Sequence, residues 1–130
     1  MNRFFVLTAA ILGALSVTFG AFAAHQLKTL LTAETVAVFE TGVRYQFYHA
    51  LALLVLGLNF EKLAAAWVRR AGYFFIAGIV LFSGSLYTIT FLKYIENENA
   101  IKYAGIITPF GGLCFIAGWL LVFVATAKRR

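Results

Sequence analysis

The sequence predicts an all-α integral membrane protein, a bundle of four membrane-spanning helices with an amphipathic interfacial helix between spans one and two. Three observations carry this expectation. Of 130 residues, 62% are hydrophobic and 12% charged, with a mean hydropathy of +0.88; soluble domains run near half apolar and about a quarter charged, so one is excluded. Four runs, residues 4–24, 45–60, 71–92 and 103–127, contain no Asp, Glu, Lys or Arg. The Lys and Arg that separate those runs are distributed unevenly. In a bilayer every backbone amide needs a partner within its own segment or a closed barrel, and runs of this length suit helices of about 20 residues. The chain reads as a single four-span transmembrane domain.

The first run could imitate a secretory signal, because Arg3, an apolar stretch and Ala21, Phe22 and Ala23 follow the order of such a segment. Its uninterrupted core over residues 4–20 exceeds the usual 7 to 15 residues, which favours a retained span. Small residues let helix backbones approach where lipid removes any hydrophobic drive to associate. Ala9, Gly13, Ser16 and Gly20, spaced 4, 3 and 4, form such a stripe.

The 20 residues 25–44 connect spans one and two, and within them an amphipathic interfacial helix begins after Thr32 and runs into span two. Thr32 can cap it, and Glu34 suits the positive end of its dipole. Val36, Phe39 and Val43 recur at i, i+3 and i+7. Glu40 precedes Arg44 by four, the favourable order for a helical ion pair. The second run is short, about 24 Å at 1.5 Å per residue, so it borrows Gly42 and a snorkelling Arg44 at its outer end; Ala50 and Gly57 are its small residues. The fourth run places Gly105, Thr108 and Gly112 on one face and Gly111 with Gly118 on another. Pro109 falls in its first turns, where the missing N–H predicts a kink.

Four spans put both termini on one side. That side collects Arg3, Lys62, Arg69, Arg70, Lys128, Arg129 and Arg130, against Lys28, Arg44, Lys93 and Lys102 opposite, together with four of the five glutamates. Cytoplasmic segments carry the cationic excess, so both termini are expected in the cytoplasm, in a multi-pass protein of the cytoplasmic (inner) membrane. The net charge of +6 then reflects lipid headgroups and topology, with no nucleic-acid partner. Cys114, alone, cannot form an internal disulfide.

This orientation gathers the polar residues of the apolar runs in the outer half. They form a candidate pocket of His25, Arg44, Gln46, His49, Ser83, Tyr87 and Thr108. Ionisable groups within spans are costly and mark functional sites, whereas Ser, Thr, Tyr and Gln commonly hydrogen-bond between helices. Each histidine can be an interhelical hydrogen-bonding group, a solute or proton site, or a metal or haem ligand. No Cys-x-x-Cys-His motif, phosphate loop, nucleophile elbow or acidic metal pair accompanies them, and aspartate is absent. No enzyme, metal or cofactor is expected.

Four stretches carry a family resemblance: Gly20 to His25 with Leu27 and Lys28; Arg44-Tyr45-Gln46-Phe47-Tyr48-His49 with Ala50 to Leu54; Phe82-Ser83-Gly84-Ser85-Leu86-Tyr87; and Ile107-Thr108-Pro109-Phe110-Gly111-Gly112 with Gly118 and Trp119. In these the chain resembles the domain-of-unknown-function 423 family, small four-span membrane proteins that include the animal transmembrane protein 256. It departs from the usual family pattern at Ala23, where glycine is common, and at Gln26, often a small residue. The resemblance implies a four-helix inner-membrane protein and no established activity.

The expected role is a non-enzymatic accessory or scaffold component, in contact with membrane lipids and with a membrane-protein partner or a second copy. The alternatives are a small-solute or proton-handling protein built on the outer pocket, and a bis-histidine haem protein. The topology is directly testable. A reporter that is active only outside the cytoplasm, fused after Arg130, should stay silent; strong activity overturns the assigned orientation.

Overall fold

A computed structural model describes residues 1–128, and among them all regular structure is helical. Asn2 caps α1 (Arg3–Phe22) by accepting a hydrogen bond from the Phe5 amide at 3.2 Å. The helix continues through a π turn (Ala23–Leu27) into a last short turn, α2 (Lys28–Leu30). Extended backbone at Leu31 and Thr32 reverses the chain, and Thr32 Oγ1 accepts from the Thr35 amide at 3.3 Å to open α3 (Ala33–Leu58). A single 3-10 turn (Phe60–Lys62) leads to α4 (Ala65–Gly78), which runs through a second π turn (Ile79–Ser83) into α5 (Gly84–Tyr94). Glu96, at φ 58°, makes the last reversal, and Asn97 caps α6 (Glu98–Ala127).

Three stretches are long and apolar enough to cross a membrane: Arg3–Leu30, Ala65–Tyr94 and Glu98–Ala127. The expected second span falls outside that set because Arg44, Gln46 and His49 interrupt α3. The segment that follows Thr32 runs into this run as one 26-residue helix, while residues 25–30 belong to the end of the first helix. The helices also extend beyond the uncharged runs. Arg69 and Arg70 lie within α4, and α6 begins five residues before its run does. Charge ends an apolar run, but a helix ends only where its backbone is capped or turned.

Direction follows from three contacts. The Asn2 amide donates to Gly57 O at 2.8 Å, the Ala64 amide donates to Ala125 O at 3.3 Å, and the Met1 ammonium pairs with Glu61. Both ends of the described chain therefore lie together with the end of α3 and the start of α4, and successive long helices alternate in direction. The ammonium beside the exposed Glu61 carboxyl holds it below the ordinary carboxylate range.

Aromatic rings seated on glycines lock the helices together. Phe5, wholly buried, lies over Gly72 of α4, while a Cβ at Gly57 of α3 would stand 3.2 Å from the Phe5 Cβ and 2.8 Å from Val6 Cγ2. Between α4 and α6 the seating is reciprocal: Phe75 lies on Gly118, and Phe115 lies on Gly78. The Phe82 backbone rests on Gly111, and Tyr87 covers Gly42, where a Cβ would meet its ring at 2.8 Å.

The small-residue stripes proposed above are partly corrected. Gly111 and Gly118 are close-packed, but nothing lies within 4 Å of a Cβ built at Gly13 or Gly105, and Gly20 and Gly112 have only ordinary contacts at 3.8 and 4.0 Å. Gly105 is exposed and Gly13 half-buried, so spacing placed them on a helix face without supplying a ring to fill the notch. Ser16 is buried, and its hydroxyl donates to Leu12 O within its own helix at 2.8 Å. The expected Glu40–Arg44 ion pair does not form; among the described residues the ion pair is Met1–Glu61. Pro109 lies inside α6 rather than in its first turn, and the helix passes through it without a break.

These notches make a directional prediction. Gly111→Ala forces a methyl group into the Phe82 backbone and should lower unfolding stability in detergent by about 1–3 kcal/mol. Gly13→Ala, in open space, should leave stability unchanged or raise it by about 0.5–1 kcal/mol through helix propensity. Equal effects would sink the account.

Candidate functional site

α3 carries most of the polar side chains, and its helical geometry splits them. At about 100° per residue, Arg44 points about 160° away from Gln46 and about 140° away from His49. Gln46 and His49 are buried, whereas Arg44 is exposed. The expected pocket therefore does not assemble as one site. Its members fall into three hydrogen-bonded groups and two outliers.

The first group joins three helices. Tyr87 Oη of α5 donates to Gln46 Oε1 at 2.8 Å, and Gln46 Nε2 donates to Leu12 O of α1 at 3.0 Å. Beside it, Ser83 Oγ donates to Gly42 O at 2.6 Å, from a serine with no exposed surface. The Tyr87 ring that covers Gly42 also meets Phe19 edge-on at 5.3 Å and Phe39 at 4.9 Å. The second group joins α5 to α6: the Ser85 and Thr108 hydroxyls lie 2.7 Å apart, and Ser85 also donates to Phe82 O.

The third group surrounds His49. Its Nδ1 lies 2.7 Å from Tyr45 O, and Trp119 Nε1 donates to its Nε2 at 3.1 Å. A carbonyl can only accept and an indole N–H can only donate, so the partners fix the neutral imidazole with its proton on Nδ1. The ring stacks on Phe115 at 3.6 Å and 10°. An open groove of about 580 Å³, lined by Tyr45, Tyr48, Phe82, Phe115 and Trp119, reaches this edge of the histidine.

The outliers are His25 and Arg44. His25 is exposed in the first π turn, whose buried Ala23 and Leu27 pack on Val36 and Phe39. Those two α3 residues precede His49 by 13 and 10 positions, about 15–20 Å along the axis. A haem ligated by two histidines needs them facing each other, and His49 has both ring nitrogens engaged. Among the described residues, no three His, Cys, Asp or Glu side chains gather to hold a metal ion.

Every buried side-chain nitrogen and oxygen among the described residues has a hydrogen-bond partner. Sequence reasoning missed the Trp119 indole and every backbone carbonyl among the partners in the three groups, those of Leu12, Gly42, Tyr45 and Phe82. Trp119 carried a signal, since an indole N–H in an apolar helix needs an acceptor and His49 was one of few available. Leu12 O and Gly42 O carried none, because any backbone carbonyl is silent in sequence.

The family described as "Protein of unknown function (DUF423)" matches residues 19–112. A membrane protein of Bacillus subtilis, UPF0382 membrane protein YwdK, is 41% identical over 127 residues, covering 97% of this chain and 98% of its own. UPF0382 inner membrane protein YgdD of Escherichia coli K12 is 35% identical over 129 residues, covering 99% of this chain and 93% of its own. A Staphylococcus haemolyticus relative, UPF0382 membrane protein SH2409, is 38% identical over 126 residues. The chain belongs to the DUF423 family. No solved structure matches it. It is thus a membrane protein of a family without an assigned activity. The DUF423 match spans Gly42, Gln46, His49, Ser83, Tyr87, Thr108 and Gly111, and ends before Phe115, Gly118 and Trp119.

The first group is testable by a double-mutant cycle. Gln46→Leu and Tyr87→Phe should each destabilise the fold and should couple by about 0.6 kcal/mol, with an upper range near about 1.7 kcal/mol for hydrogen bonds between membrane helices. Strict additivity in thermal unfolding would remove this bond from the account.

Proposed function

We propose that this protein is a four-span helical bundle of the cytoplasmic membrane, with both termini in the cytoplasm, acting as a non-enzymatic accessory or scaffold component of a membrane complex. In this reading α3 is the remaining span, its Arg44 snorkelling outward and its first turns lying at the outer surface.

The observation that carries the reading is the closure of the polar interior. Gln46, Tyr87, Ser83, Ser85, Thr108 and His49 are engaged with one another, with Trp119 or with backbone carbonyls. Groups kept for a substrate or a proton path need free valences, and these have become ties between helices. What the chain presents outward is apolar: Phe110, Leu113, Ile116, Leu120 and Phe123 form a continuous exposed flank on α6. Such a flank meets lipid or a neighbouring membrane helix.

Native mass spectrometry of the untagged chain, gently solubilised from its own membranes, tests this. The expected result is a complex in which a second membrane protein is present in fixed stoichiometry. Quantitative recovery as a bare 14.3 kDa chain overturns the accessory reading.

A further inference from the structure

The side of α3 that turns away from the polar interior faces a cleft against α1. Ser16 and Gly20 floor it, Val17, Val43 and Phe47 wall it, and Glu40 and Arg44 stand at its edge, around a hollow of about 280 Å³. The two charges sit one helical turn apart in the order that ordinarily pairs, yet they form no ion pair. Lys28 borders a neighbouring hollow beyond Glu40 and is likewise unpaired with it. An exposed guanidinium flanked by apolar side chains at the edge of a hydrocarbon layer calls for an anion, and Glu40 does not supply it.

We propose that this cleft binds a phospholipid whose headgroup joins a phosphate to a primary ammonium, of the phosphatidylethanolamine class. Arg44 takes the phosphate, for which a guanidinium offers a matching fork of donors. Glu40 takes the ammonium, whose three N–H donors distinguish it from a quaternary amine that has none. The two residues lie about 6 Å apart along the helix axis, so one headgroup lying along that turn reaches both side chains. An acyl chain follows the Val17, Val43 and Phe47 wall.

The inference rests on the four-span placement proposed above, which puts Glu40 and Arg44 near the outer membrane surface. The reporter fusion tests that placement separately, so failure of one does not imitate failure of the other. The full chain is reconstituted into vesicles with equal phosphatidylethanolamine, phosphatidylcholine and phosphatidylglycerol, extracted gently, and the lipid retained per chain is counted by native mass spectrometry. Phosphatidylethanolamine should be retained about fivefold over the other two, the scale of one such charge contact.

Arg44→Gln should lower retention of all three lipids, since each carries the phosphate, and Glu40→Gln should equalise phosphatidylethanolamine with phosphatidylcholine while raising phosphatidylglycerol. Equal retention by the unaltered chain overturns the proposal, as does a preference that Glu40→Gln keeps or a total lipid retention that Arg44→Gln leaves unchanged. A lipid-free dimer overturns it too, assigning the cleft to a second copy. Displacement by soluble phosphoethanolamine overturns the lipid assignment in favour of a free zwitterion. If a variant does not fold, the comparison of the three lipids on the unaltered chain decides.

Discussion

The fold depends on aromatic rings occupying glycine notches. Lipid tails are as apolar as leucine, so side chains gain nothing by leaving lipid for one another, and helices associate only where surfaces fit closely. A glycine facing a phenylalanine meets that requirement, because the absent Cβ leaves room for a flat ring at backbone distance. Phe5 on Gly72, Phe75 on Gly118, Phe115 on Gly78 and Tyr87 on Gly42 tie α1 to α4, α4 to α6 and α3 to α5. The apolar interior is accordingly divided into three clusters, centred on Phe75 and Phe115, on Phe39, and on Phe5.

Polar ties lie on the same seams. Tyr87 fills the notch at Gly42 with its ring while its hydroxyl reaches Gln46, and Ser83, one turn earlier, takes the carbonyl of that same Gly42. Phe115 seats on Gly78 with one face and stacks on His49, which Trp119 holds from the next turn of α6. Shape and hydrogen bonding therefore specify one register together. A ring displaced from its notch would also strand a polar group in a medium without water, which is costly.

The two π turns accompany this packing. Ile79–Ser83 places the Phe82 backbone against Gly111 and ends on the serine that reaches Gly42. Ala23–Leu27 turns Ala23 and Leu27 inward and leaves His25 outside. An extra residue in a helical turn shifts the facing of everything beyond it, so these insertions set which side chains reach the seam. The charged residues obey a simpler rule. Arg70 and Lys128 lie over the Trp67 ring at 4.9 and 4.8 Å, Arg69 lies over Phe60 at 5.9 Å, and Lys62 lines the same hollow as Trp67 and Lys128.

The sequence by itself determined the all-helical character, the membrane setting and the family, because composition and uncharged runs are summed properties that a bilayer reads directly. It also determined the caps at Thr32 and the collection of cationic residues at one end. Only the tertiary structure decided which glycines matter. Gly13 and Gly111 are alike in sequence, but a notch needs a partner ring, and that ring comes from another helix. It likewise decided that His49 answers to Trp119 rather than to His25, that Arg44 turns away from Gln46, and that Leu12 O and Gly42 O are acceptors. Periodicity fixes a face on one helix; contact depends on how two helices are rotated against each other, and no single run of residues contains that angle.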